Sequence, residues 1–174
     1  MNFLRNNLGW LLTIILISTI FTSVLIFNPF EQPAQLQRTA DFLLRNYDGT
    51  RMYTEDFHGQ PVILNFWAAW CTFCRKEMPI LEELHQKYKD QDLVVLGIHR
   101  SETESREAGL HFAQEIGITF PLFEDVNSKI FRYYSRGSLF VPKTVFINRE
   151  GFVEAIFIGL RPIENFEAMI EKIL

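Results

Sequence analysis

Cysteine is scarce in this chain: 174 residues contain only Cys71 and Cys74. Two thiols can build neither a disulfide framework nor a four-thiolate zinc site, so the fold must rest on an apolar core. At 48% hydrophobic residues the chain has the material for one well-packed domain plus an appendage, and it is too short for two ordinary domains. Basic residues are also few, with 17 Lys and Arg against 21 Asp and Glu, a formal charge of -4 and a pI near 5.6. Without clustered cations to neutralise phosphates, nucleic acid is excluded as a partner. No glycine-rich nicotinamide or flavin fingerprint occurs, so no dissociable cofactor is expected, and there are no internal repeats. Both cysteines fall in one Cys-x-x-Cys. Within the chain they can pair only with each other, as a redox couple or as a two-thiolate metal site.

Residues 8–27 form twenty consecutive positions without a charge, rich in Leu, Ile, Phe and Val. At about 1.5 Å per residue such a helix spans roughly 30 Å, the thickness of a bilayer's hydrocarbon core. A cleaved signal peptide would have a shorter apolar region and a small-x-small site, and no good site follows Phe27. The segment therefore reads as a single-pass anchor, with residues 1–7 inside the cytoplasm, since Arg5 precedes the span while Glu31 is the first charge after it. Residues 28–39, with Pro29 and Pro33, read as a tether, and the folded domain is expected over 40–174. This arrangement places the domain on the periplasmic side of a bacterial inner membrane.

The apolar runs at 62–67 and 93–98 have the character of central parallel strands covered on both faces. Between them Met78, Leu81, Leu84 and Tyr88 recur at helical spacing. A second amphipathic helix is expected over 101–116, with the Glu-rich start at 101–107 as a solvated face. A short strand at 120–123 and a helical turn or two at 128–134 follow. The runs 144–147 and 152–158 flank Asn-Arg-Glu-Gly and predict a hairpin, and a last helix starts after Pro162. The fold class is α/β, with a central mixed β-sheet flanked by helices.

Cys71-Thr72-Phe73-Cys74 lies between a buried strand and an amphipathic helix. Cys71 at a helix N-terminus faces unsatisfied N–H groups that favour its thiolate, the attacking species in disulfide exchange. Cys74, about one turn on, is placed to resolve a mixed disulfide.

The block Asn65-Phe66-Trp67-Ala68-Ala69-Trp70-Cys71-Thr72-Phe73-Cys74-Arg75-Lys76-Glu77-Met78-Pro79 resembles the N-F-W-A-x-W-C-x-x-C-x-x-E-x-P signature of the TlpA/ResA-like reductases of the thioredoxin superfamily. Val141-Pro142-Lys143-Thr144 resembles the stretch bearing that superfamily's cis-proline. The resemblance covers most of residues 40–174 and implies a thioredoxin-like fold. It makes Cys71 the nucleophile, Cys74 the resolving thiol and Glu77 a carboxylate that exchanges a proton with Cys74. It also places Trp70, Val141 and Pro142 against the substrate. The implied function is extracytoplasmic reduction of protein disulfides, such as those of apocytochrome c, with electrons from a membrane thiol-reductant donor.

Two departures stand out. Asn65 replaces the buried Asp of cytoplasmic thioredoxins, although the TlpA/ResA branch also carries Asn. Thr72-Phe73 matches no dipeptide with a readable redox potential. The alternative function is a copper metallochaperone holding Cu(I) on Cys71 and Cys74, with His99 at the end of the second central strand as a third ligand. A peroxidatic cysteine would need a Pro-x-x-x-Thr-x-x-Cys setting, which Cys71 lacks. His58, His85 and His111 read as ordinary surface or hydrogen-bonded residues. Trp67 is expected in the core and Trp70 at the surface.

Overall fold

The computed structural model describes residues 37–174, so the predicted anchor and most of the tether lie outside the described residues. Among the described residues no helix is long and apolar enough to cross a membrane. Strands β1 (Leu43–Arg45) and β2 (Arg51–Tyr53) form a small antiparallel hairpin. The main chain of elements follows as β3 (Val62–Trp67), α1 (Thr72–Tyr88), β4 (Val94–His99), α2 (Arg106–Glu115), β5 (Leu122–Glu124) and α3 (Lys129–Tyr133). It ends with β6 (Lys143–Ile147), β7 (Val153–Ile158) and α4 (Ile163–Ile173).

Five strands make one mixed sheet in the order β5-β4-β3-β6-β7. β3, β4 and β5 are parallel, as strand–helix–strand crossovers require, whereas β6 and β7 run antiparallel. Every residue of β3 and β6 is buried, which explains their nearly unbroken apolar runs. β7 at the sheet edge is only half-buried. The β6–β7 connection turns at Gly151, whose φ of 82° lies in the left-handed region. Before β1, Thr39 N–H donates to Gly151 O (2.8 Å) and Val153 N–H to Gln37 O (3.0 Å), so residues 37–39 already lie against the start of β7.

One helix boundary differs from the sequence expectation. α2 begins at Arg106 rather than 101, with Ser105 as its cap accepting from Ala108 N–H at 3.2 Å. Residues 101–105 are an irregular loop, and Glu104 turns inward instead of joining a solvated helix face. A carboxylate with buried donors within reach gains more from charge-assisted hydrogen bonds than a helical turn would return.

Candidate active site

β3 delivers the chain through a turn to Cys71, the N-cap of α1. Cys71 and Cys74 are joined as a disulfide, and Cys71 Sγ accepts a hydrogen bond from Cys74 N–H at 3.0 Å. That donor and the N-terminal end of a 17-residue helix stabilise negative charge on Cys71 once the bond is reduced. Cys71 is 4% exposed and Cys74 0%, so of the two only Cys71 offers an incoming disulfide any surface.

Glu77 follows Cys74 by three residues, on the same face of α1, and is 1% exposed. Its Oε1 accepts from Asn65 Nδ2 and from Thr144 Oγ1, both at 2.8 Å, and Asn65 Nδ2 also donates to Thr144 Oγ1 at 2.9 Å. Oε2 has no partner. Burial pushes the carboxyl up from 4.5 to about 7, against the opposing pull of the Thr144 and Asn65 hydrogen bonds. A buried acid that titrates near neutrality, one turn from the resolving thiol, is suited to taking and returning a proton.

The Val141–Pro142 bond is cis. Phe66 pairs with Lys143, which sets Pro142 at the end of the sheet where β3 leads to the cysteines. Four large apolar side chains near these segments in sequence are exposed: Trp70 57%, Phe73 56%, Leu139 69% and Phe140 72%. The loop bearing Leu139 and Phe140 is held by a buried lysine. Lys143 Nζ donates to Ser138 O (2.7 Å) and Ser135 O (3.3 Å) and lies 4.0 Å from the Phe131 ring centre. Burial, aided by the Arg100 charge, pushes Lys143 down to about 8.

His99 does not reach the thiols as a metal ligand. Its ring is fully buried, stacked on Trp67 (4.7 Å between centroids), and both nitrogens are engaged. Nδ1 meets Tyr47 Oη at 2.5 Å and Nε2 meets Glu104 Oε1 at 2.8 Å. Among the described residues, no group of three or more His, Cys, Asp or Glu could hold a metal ion. The helix packed over the ring must carry glycine at the contact, since a Cβ on Gly109 would lie 2.4 Å from His99 Cε1. Gly109→Ala is therefore expected to lower stability by roughly 1–3 kcal/mol despite alanine's better helix propensity, as read by thermal melting.

Comparison with known proteins agrees with this geometry. The profile described as AhpC/TSA family matches residues 36–156. The chain belongs to this thioredoxin-like family. It is similar to a thiol-disulfide oxidoreductase ResA of Bacillus cereus, 34% identical over 133 residues that cover 76% of this chain and 75% of that protein. The ResA of Bacillus anthracis is 30% identical over 173 residues, covering 97% of this chain and 98% of that one. A solved structure, a candidate DsbE thiol:disulfide interchange protein from Chlorobium tepidum, superposes with a TM-score of 0.72 at 26% identity, covering 81% of this chain and 98% of its own. The chain is an enzyme, a thiol–disulfide oxidoreductase.

For this member of the AhpC/TSA family, the sequence reading finds the cysteine pair and places Trp67 inside and Trp70 outside, as the structure has them. It misses Thr144 as a partner of Glu77, Lys143 as a buried cation, and Tyr47 and Glu104 as partners of His99. Lys143 carried a usable signal, because a charge in a strand buried on both faces must have partners. Tyr47 carried none, since its contact with His99 bridges 52 residues.

Proposed function

We propose that this oxidoreductase is a membrane-anchored reductase of protein disulfides, working on the periplasmic side of a bacterial inner membrane, with apocytochrome c among its substrates. The observation that carries a protein substrate is the exposure of Trp70, Phe73, Leu139 and Phe140 in the segments that hold the nearly closed sulfur pair and the cis-proline. Such a surface matches an extended chain with bulky apolar residues better than a small thiol. Support for the anchor comes from the uncharged run at 8–27, and support for the cytochrome substrate from the resemblance to the TlpA/ResA-like reductases. In an oxidising compartment the dithiol must be re-reduced, and a membrane thiol-reductant donor supplies the electrons. Equilibration of the full-length protein in dithiothreitol and glutathione buffers, with thiol trapping, tests the direction. A potential at or below thioredoxin's, about -270 mV, is the expected result, whereas one near the strong-oxidant value of about -120 mV makes the protein a disulfide donor and overturns the proposal.

A further inference from the structure

We propose that Thr103 and Glu104 are positioning residues for the exchange reaction: they clamp the two central residues of the turn that delivers Cys71, with His99 and Tyr47 holding the clamp from behind. The turn is closed by Cys71 N–H donating to Ala68 O at 3.2 Å, which leaves Ala69 and Trp70 as its central residues. Each is fixed by a neighbouring residue of the loop after β4. Ala69 N–H donates to Glu104 Oε1 at 2.5 Å, and the Trp70 indole N–H donates to Thr103 Oγ1 at 3.1 Å.

That loop is itself anchored to the sheet. Thr103 N–H and Oγ1 both donate to Arg100 O (3.0 and 2.8 Å), and Arg100 N–H donates to Trp67 O at 2.9 Å. On the Glu104 side the hydrogen bonds have one direction. Tyr47 O–H donates to His99 Nδ1 and His99 Nε2–H donates to Glu104 Oε1, so the imidazole needs only the tautomer with its proton on Nε2. Burial pushes the Tyr47 phenol well above its ordinary value, which keeps the hydroxyl a donor. The Glu104 side chain is 11% exposed, and Oε1 receives both the imidazole and the Ala69 amide.

These contacts explain why polar residues enter the core here, and they have a kinetic consequence. The Cys71 sulfur and the Trp70 ring are set relative to one another before a substrate arrives, so binding does not have to order the turn.

The test compares full-length wild type with Glu104→Ala, Glu104→Gln and Thr103→Val. It follows hydrogen exchange of the Ala69 amide and Trp70 indole protons by NMR, and the reaction of the reduced enzyme with glutathione disulfide and with insulin. Glu104→Ala is expected to slow both reactions by about ten-fold and to expose the Ala69 amide, because misplacing a nucleophile acts on the chemical step. Glu104→Gln, whose amide oxygen still accepts from Ala69, stays within about three-fold of wild type. Thr103→Val, an exposed change, raises KM for insulin by about five-fold without lowering kcat, and deprotects the indole proton. Wild-type rates in Glu104→Ala overturn the proposal, as do equal losses in the Ala and Gln variants that track a shared fall in melting temperature. Should Glu104→Ala fail to fold, an unchanged KM for insulin in Thr103→Val overturns it alone.

Discussion

Cys71→Ser abolishes reduction of a protein disulfide, a loss on the order of a thousand-fold or more, whereas Cys74→Ser starts the reaction and cannot finish it. The reasoning follows the electrons. The Cys71 thiolate attacks one sulfur of the substrate disulfide, forming a mixed disulfide and expelling one substrate thiolate. Cys74, deprotonated, then attacks Cys71 Sγ, which expels the second substrate thiolate and leaves the Cys71–Cys74 disulfide, the form seen in the structure. Two electrons and two protons have moved to the substrate. Removing Cys71 removes the one cysteine of the pair with any surface access, whose sulfur caps α1. Removing Cys74 leaves the first attack intact, so covalent complexes accumulate and can be isolated from cells by non-reducing electrophoresis and identified by mass spectrometry. Partners bearing Cys-x-x-Cys-His, the haem-attachment motif, would support the proposed cytochrome role. Exchange activity in Cys71→Ser would sink the assignment of the nucleophile, and a Cys74→Ser protein that forms no covalent complexes would sink the two-step scheme.

The parts that could be read from sequence are those governed by local periodicity. β3 falls at the residues its apolar run indicated, and β4 is displaced by one, from 93–98 to Val94–His99. Glu77 was reached only through the resemblance, and the structure shows why a buried acid fits there. It is three residues after Cys74 and four before Leu81, both fully buried in the structure, and it shares their face. By contrast, the start of α2 was misread because residues 101–105 are as polar as the exposed side of a helix. What decides against helix there is the pull of Ala69 N–H and His99 on Glu104, tertiary contacts that no local pattern records. The same holds for the triangle of Asn65, Glu77 and Thr144, which joins positions 79 residues apart. The chemistry-bearing residues were visible, and the residues that tune them were not, because tuning is done across the sheet.

Glu77→Gln separates two effects of the buried acid. In the disulfide form the carboxyl titrates at about 7 when folded and at its ordinary 4.5 when unfolded, so the folded state holds the proton more tightly. Between these values the native protein binds more protons than the unfolded chain, and stability falls as pH rises. The loss amounts to about 3 kcal/mol between roughly pH 4.5 and pH 7, is absent below that window and is complete above it. Glutamine cannot ionise, so the stability of Glu77→Gln relative to wild type is expected to improve by that amount across the window, as read by urea denaturation of the oxidised proteins at a series of pH values. Activity should move the other way. An ionised Glu77 accepts the Cys74 proton during resolution, so the wild-type resolving step rises with pH through about 7. In Glu77→Gln that inflection disappears and resolution slows by about a hundred-fold, with the mixed disulfide accumulating as it does in Cys74→Ser. A variant that gains stability yet resolves at the wild-type rate would make Glu77 a buried polar residue of the core and no more, and the proton of Cys74 would have to leave by another route.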